Sequence, residues 1–226
     1  MADQHPLDNP VWAALSTTHA TIARRHGTAA AYINAISPFM GCETLDAQGW
    51  SDLAMLDTSA RLIRAEIGEL PAGATAPFRA SLRQMVAPQT SPFRPRFEVR
   101  PLVDTDVAQM LDLTARTKPG PFKARTIELG GYFGVFEDEA LMAMAGRRMQ
   151  TPGYCEISAV CTDPAFSGRG AASDLTLLIA SQIQAEGNTA FLHVSDENPT
   201  AGRLYEHLGF TVRAHLQVAM VVFAAP

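Results

Sequence analysis

Lysine is nearly absent from this chain: of 18 basic residues in 226 only Lys118 and Lys123 are lysines, and no Lys/Arg block forms anywhere. With 23 acidic residues the formal net charge is −5, which disfavours general binding to nucleic acid or to an anionic membrane surface. Cysteine is scarce too. Cys42, Cys155 and Cys161 are odd in number and lack C-x-x-C spacing, so they suit buried thiols in a reducing compartment better than a disulfide framework. No apolar run comes near the roughly 18 residues that would suggest a membrane span. The start, Met1-Ala-Asp-Gln-His-Pro, has neither the basic region nor the apolar core of a signal peptide, and a cytoplasmic location is the expectation. His193 stands alone in an apolar strand with no second ligand at metal spacing, so it reads as a core or edge histidine, as do His207 and His215. There is no Gly-x-Ser-x-Gly elbow, and Cys161 has no nearby histidine in sequence to activate it, so covalent catalysis is not expected.

What the chain does have is enough apolar sequence, 47%, for a sizeable core, at a length that fits one large domain or two small ones. Pro71, Gly73, Pro77, Pro88, Pro92 and Pro95 repeatedly interrupt helix patterning, which places a domain junction in this stretch. The expected division is residues 1–95 and 96–226. In the first part a helix is expected near 9–25, an apolar stretch at 29–36, a helix near 47–57, and strand-like pieces at 61–67 and 80–86. It carries no catalytic motif.

The second part alternates cleanly between helical and extended periodicity. Residues 97–102 read as a strand; Asp104 can cap a helix whose apolar positions Val107, Met110, Leu111 and Leu113 share a face, and Lys118-Pro-Gly-Pro ends it. Strands at 132–136 and 140–145 flank the acidic turn Glu137-Asp138-Glu139, and a third strand covers 154–162. A long helix spans about 170–186 with Gly187 at its end, followed by a strand at 189–194, a short helix at 200–208, and an extended segment at 210–223 long enough for two strands. The order β, α, β, β, β, α, β, α, β predicts an α/β fold with a mixed sheet covered by helices.

The most informative segment runs from Glu156 through Asp163-Pro164 and Ser167-Gly168-Arg169-Gly170-Ala171-Ala172-Ser173 into the long helix. Amides at a helix start are unpaired, and two glycines remove the side chains that would keep a pyrophosphate away from them. Arg169 adds a positive charge. The same glycines would also serve a tight strand-to-helix turn and nothing more. A Rossmann fingerprint is not matched, because Ser173 holds the place of its last glycine and a hairpin comes first; a P-loop is excluded, since no Gly-Lys-Ser/Thr follows.

This loop resembles the central motif of the GCN5-related N-acetyltransferases, in which a splayed strand runs through Arg/Gln-x-x-Gly-x-Gly/Ala into a helix. Gly170 and Ala172 match its last two fixed places, while Ser167 stands where the family usually carries Arg or Gln. Asn198-x-x-Ala201-x-x-Leu204-Tyr205-Glu206-x-Leu208-Gly209-Phe210 resembles the second signature, and together with Phe-Leu-His-Val at 191–194 it looks most like the FR47-like branch. The resemblance covers about residues 97–223. It implies an acyl-CoA N-acyltransferase fold, a mixed, mostly antiparallel sheet with helices on both faces. The smaller α/β part before it, with its β/α alternation, reads as a degenerate half of the same fold without a cofactor site, or as a plain N-terminal cap.

The cofactor implied is acetyl-CoA or another acyl-CoA, its pyrophosphate on the amides of residues 168–173 (Gly168, Arg169, Gly170, Ala171, Ala172 and Ser173) and its pantetheine on the strand edge at Val160, Cys161 and Thr162. Period two places Glu156, Ser158, Val160 and Thr162 on one face. Glu156 stands where one branch of the family carries a general base, needed because an amine is protonated at neutral pH; a solvated strand-end carboxylate is the other reading. Tyr205 could protonate the departing thiolate, or pack with Leu204 and Leu208 at helical spacing. Asn198 matches a cofactor contact and, before Pro199, could equally cap the helix. The function expected is direct acetyl transfer to an amine of a small molecule or peptide, by a monomer or a homodimer that needs neither nucleic acid nor membrane. The acceptor would meet residues 117–131 and the strands around Tyr132 and Tyr154. A non-catalytic acyl-CoA sensor is the alternative, and Ser167 fits it.

Overall fold

In this computed structural model the described residues are 5–89 and 92–224; Met1 to Gln4, Thr90, Ser91, Ala225 and Pro226 lie outside them, and with them part of the chain start and of the proline-rich stretch. The helix expected near 9–25 is shorter. Asn9 and Pro10 start α1, Pro10–Ser16, which stops at Thr17; the chain then turns into β1, Ala23–His26, and back through β2, Ala29–Tyr32. β3, Met40–Cys42, completes an antiparallel three-stranded sheet in the order β1-β2-β3. α2, Ala47–Leu56, begins where the Asp46 carboxylate accepts the Gly49 amide at 2.8 Å. β4, Ser59–Arg64, and β5, Thr75–Val86, come next where strand-like pieces were expected, β5 beginning earlier.

After the proline-rich stretch come β6, Val99–Pro101, α3, Val107–Thr117, β7, Phe133–Glu137, β8, Ala140–Thr151, β9, Tyr154–Thr162, α4, Ala171–Ala185, β10, Thr189–Ser195, α5, Pro199–His207, and β11, Thr211–Val222. This is the order read from the sequence. The final extended segment forms one long strand instead of two. Its neighbour comes from elsewhere: the large sheet runs β4-β11-β5-β10-β9-β8-β7-β6, so β5 from the N-terminal part lies between β10 and β11, and β4 closes the edge beyond. The junction expected near residue 95 is therefore no break between two sheets. Prolines interrupt the periodicity there because the chain leaves one region of a shared sheet and re-enters it at the far edge, at β6.

Alternation along the strands divides the core. On β8, Ala143 and Ala145 pack with Leu175, Ile179 and Ile183 of α4, whereas Met144 between them packs with Met110 and Leu113 of α3. Helices thus cover both faces, α4 on one and α3 on the other. On β10 Leu192 and Val194 join the α4 cluster, while Phe191 joins Leu7, Val11 and Leu15 around α1 on the opposite face.

Two irregularities in the β8–β9 ladder decide which way the side chains of β9 point. Between the pairs Met144–Cys161 and Gly146–Ser158, Ala145 alone faces Ala159 and Val160, and Ala159 takes a φ of 53°. This bulge shifts the alternation. Val160 packs against the α4 cluster while Ala159 and Cys161 belong to the α3 cluster, so the single face expected for Glu156, Ser158, Val160 and Thr162 does not exist. Nearer the strand start, Arg148 and Met149 together face the one residue Glu156.

Candidate active site

β9 and β10 form the one parallel ladder of the large sheet among the described residues, and it is short. It covers Tyr154, Cys155 and Glu156 against Thr189, Ala190 and Phe191, and ends there. Beyond it β10 continues against β5 up to Ser195 and Leu82, while β9 continues against β8 up to Thr162 and Ala143. The two strands therefore diverge, and the edge of β9 from Ile157 to Thr162 carries no strand partner on the β10 side among the described residues. Glu156 sits at the apex of this opening. Val160 and Thr162 are half-buried on the free edge, and the buried Thr162 hydroxyl has no hydrogen-bond partner among the described residues. Cys161 is buried, and burial pushes its thiol up to about 11.

The chain leaves β9 through Asp163, whose carboxylate accepts the Ala165 amide at 2.8 Å, and a single 3-10 turn, Pro164–Phe166, anchored by the buried Phe166 ring 5.6 Å from Phe97. Ser167 is extended. Gly168 and Gly170 then take φ values of 80° and 93°, which a side chain would strain, and α4 begins with Asp174 donating its amide to the Gly170 carbonyl. The amides of Ala171, Ala172 and Ser173 precede that first helical bond, so the loop presents unpaired donors at the positive end of a 15-residue helix.

Arg169 points away from this helix start. Its Nη1 donates to Glu137 at 2.9 Å and its guanidinium lies 4.4 Å from the Phe166 ring centroid. The guanidinium beside the helix start belongs to Arg96. Its backbone amide and Nε donate to the buried Asp174 carboxylate at 2.5 and 3.0 Å, Nη2 reaches the Gly170 carbonyl at 3.4 Å, and the side chain remains 67% exposed. Arg96 escaped the sequence reading because 74 residues separate it from Gly170 and no local pattern joins them.

Glu156 is fully buried, so it is not a solvated strand-end carboxylate. Arg148 donates to it twice, Nε to Oε2 at 2.8 Å and Nη2 to Oε1 at 2.5 Å; His193 Nδ1 lies 2.7 Å from Oε1, and the Met149 amide donates to Oε2 at 3.3 Å. Burial opposes its charge, but Arg148 and His193 outweigh burial and hold the carboxyl down at about 2. Sequence reading missed Arg148 and set His193 aside, although their placement opposite Glu156 stems from the bulge and from β9–β10 register. The polar chain runs on. Gln84 Nε2 lies 3.0 Å from His193 Nε2 and donates to the Leu7 carbonyl at 2.9 Å, and Arg213 donates to Gln84 Oε1 at 2.5 Å and pairs with Asp8. The N-terminal segment is thereby tied to the apex.

Asn198 caps α5, its Oδ1 accepting the Ala201 amide at 3.0 Å. Tyr205, buried on α5 beside the Phe210 ring at 5.9 Å, has its phenol pushed up to about 12, chiefly by burial and also by the neighbouring Cys161 thiol. The segment 117–131 rests on the N-terminal part: the Arg125 amide donates to Ala35 O at 3.0 Å, Thr126 Oγ1 to Ile36 O at 2.6 Å, and Lys123 Nζ to Asn34 Oδ1 at 2.9 Å. Tyr132 is buried, its hydroxyl without a partner among the described residues, and the Tyr154 hydroxyl lies 3.1 Å from His5 Nε2. No helix among the described residues is long and apolar enough to cross a membrane.

A splayed β9–β10 pair followed by a glycine turn into a helix invites comparison with known proteins. Residues 132–218 match the family described as FR47-like protein. In sequence, 67 residues are 40% identical to the mycothiol acetyltransferase of Mycobacteroides abscessus, a match covering 29% of this chain and only 23% of that protein. A GCN5-related N-acetyltransferase from Kribbella flavida superposes with a TM-score of 0.64 over 96% of this chain and 95% of its own at 14% identity, which speaks to the fold alone. A protein of the GNAT family from Novosphingobium aromaticivorans DSM 12444 is 32% identical, with a TM-score of 0.90 over 98% of this chain and 100% of its own. That identity over two whole chains, N-terminal part included, makes this chain a member of the GNAT family, the GCN5-related N-acetyltransferases.

Proposed function

We propose that this chain is an acyl-CoA-dependent N-acyltransferase that moves an acetyl group from acetyl-CoA directly to an amine of a small molecule or peptide. The observation that carries the reading is the opening between β9 and β10 beyond Glu156 and Phe191, continued by the glycine turn at the start of α4. The residues fit the cofactor. The amides of residues 168–173 would hold its pyrophosphate, and the unpaired β9 edge at Val160, Cys161 and Thr162 would pair with the pantetheine arm. When bound, acetyl-CoA supplies the thioester that the amine attacks.

The remaining chemistry belongs to the chain. As the C–N bond forms and the C–S bond breaks, Tyr205, whose phenol keeps its proton at neutral pH, would donate it to the departing sulfur, and the proton shed by the amine nitrogen would pass through solvent to restore the phenol. Asn198 would act by fixing the start of α5 and with it Tyr205. Glu156 has a different part from that of a free base: with both oxygens engaged and its carboxyl held down at about 2, it is a weak proton acceptor. Its charge would orient His193 and Arg148 at the apex. In this reading the protein works in the cytoplasm, without nucleic acid or membrane, as a monomer or a homodimer.

Calorimetry with acetyl-CoA, combined with free-thiol release over a panel of amines, tests the proposal. One cofactor per chain is expected, because residues 1–95 contain no Gly-x-Gly turn leading into a helix. Absence of binding would overturn the cofactor site, and binding without release for every amine would favour a sensor.

A further inference from the structure

We propose that a cavity between β2, β3, β4 and the segment 117–131 binds a small anion carrying phosphate or carboxylate. The cavity measures about 220 Å³. At roughly 30 Å³ per water this is room for several waters or one small organic anion. Its rim is cationic. Arg24 from β1, Arg61 from β4 and Lys123 from the 117–131 segment line it, against the single carboxylate of Asp57.

That carboxylate is already engaged, 3.8 Å from Arg24. The other two cations have no carboxylate within ion-pair distance among the described residues. Lys123 donates only to the neutral Asn34 amide oxygen at 2.9 Å, and the Arg61 guanidinium lies 5.9 Å from the Phe78 ring centroid. Both side chains are half-buried, so each has lost part of its hydration without gaining a counter-charge. An anion between them would restore it, and a planar guanidinium with five donors is suited to a phosphate or carboxylate. Ser37 and Ser59 add hydroxyls to the same lining.

The position gives the site a consequence. Lys123 belongs to the segment already held to the carbonyls of residues 35 and 36 by the Arg125 amide and the Thr126 hydroxyl, and Arg61 belongs to the edge strand of the large sheet. A bound anion would bridge the two, fixing the 117–131 segment to the sheet. This does not rest on acetyl transfer and stands or falls separately from it.

Inorganic phosphate and succinate serve as probes, each titrated calorimetrically into the full chain with and without saturating CoA, so that binding at the glycine turn is separated from binding in the cavity. At least one should bind saturably in the millimolar range or tighter; phosphate alone identifies a phosphorylated ligand, and succinate alone a carboxylate. Lys123→Gln and Arg61→Met should each weaken that binding about tenfold or more, the size expected for one lost charge-assisted contact, whereas Arg94→Gln, outside the cavity and outside the glycine turn, should keep it. Because Arg61 sits within a sheet strand and its variant could lose stability, Lys123→Gln on the connecting segment is the deciding one. Saturable binding by neither probe, or binding to Lys123→Gln as tight as to the parent, overturns the proposal.

Discussion

Arg148 and Glu156 face each other as a bidentate pair across β8 and β9, Nε to Oε2 at 2.8 Å and Nη2 to Oε1 at 2.5 Å, with the arginine stacked 4.9 Å from the Phe39 ring centroid. The pair is largely withdrawn from water: the arginine side chain is 11% exposed and the glutamate not at all. Two residues of β8 opposite one of β9 make this meeting possible, since the extra residue turns Arg148 toward the carboxylate. The apex of the opening is thus a fixed, paired charge linked through His193 and Gln84 to the N-terminal segment.

Removing one partner of such a pair should cost far more than a surface change. Glu156→Gln leaves the Arg148 guanidinium buried without its counter-charge, and breaking a buried pair typically costs roughly 3–5 kcal/mol. A denaturant midpoint should fall accordingly. The parent should also lose stability in acid. Folding lowers the Glu156 pKa from 4.5 to about 2, so the unfolded chain binds the proton more readily and the pair's contribution is present above about 4.5 and lost as pH falls towards 2. Unfolding curves from neutral pH down through this window check it, and a Glu156→Gln protein as stable as the parent would refute the account of the pair.

The two glycines of the turn should respond differently to the same methyl group. Both have positive φ, at 80° and 93°, so Gly168→Ala and Gly170→Ala share a conformational strain of about 1 kcal/mol. Beyond that they part. A Cβ at Gly168 meets nothing within 4 Å, whereas at Gly170 it overlaps Arg96 Nη2 and must displace that guanidinium from Asp174. Gly170→Ala should therefore weaken acetyl-CoA binding more than Gly168→Ala, and Gly170→Asp should abolish it. A thermal-shift titration with acetyl-CoA compares all three; equal responses at both positions would remove Arg96 from the site.

The C-terminal part was legible because its strands and helices switch period at proline, glycine and aspartate signals a few residues long, and Gly187 and Gly209, with φ of 81° and 86°, close helices where their positions suggest. Long-range pairing left no such mark. Nothing in residues 75–86 says that β5 slots between β10 and β11, so the chain was divided at its prolines instead of at a break in the sheet. Side-chain roles failed for a similar reason. A bulge costs one residue of register and is silent in a strand of alternating small residues such as Ser158-Ala159-Val160, so neither the lost common face nor the burial of Glu156 could be read. The glycine turn was visible, but not that Arg96, far off in sequence, stands beside it and that Arg169 turns to Glu137.

The three cysteines should be silent towards thiol reagents while the chain is folded. All are buried and free, and burial pushes the thiols of Cys42 and Cys161 up to about 11 and that of Cys155 up to about 12, so almost none is thiolate at mildly alkaline pH. A disulfide-exchange dye should react with them at the rate of unfolding and reach three per chain in guanidinium. Acetyl-CoA bound to the folded chain should slow all three together; an added protection of Cys161 alone would mean that this thiol is reached by local opening of the β9 edge and would support the cofactor lying there.

Tyr205 offers the sharpest test of chemistry against packing. Its phenol is protonated at neutral pH and remains so well above it, its ring packs against Phe210, and it sits on the helix that Asn198 caps. Tyr205→Phe keeps the ring and removes only the hydroxyl, so a packing role predicts nearly unchanged turnover with a confirmed amine acceptor. A proton-donating role predicts a loss of about 10²- to 10⁴-fold in kcat with acetyl-CoA binding retained. Asn198→Ala is the companion. Loss of a cap costs about 1 kcal/mol of local stability and should lower kcat modestly through the position of Tyr205, with far less effect than loss of the hydroxyl itself. If Tyr205→Phe turns over as the parent does, thiolate departure needs no phenol, and Tyr205 serves only to pack α5 against β10.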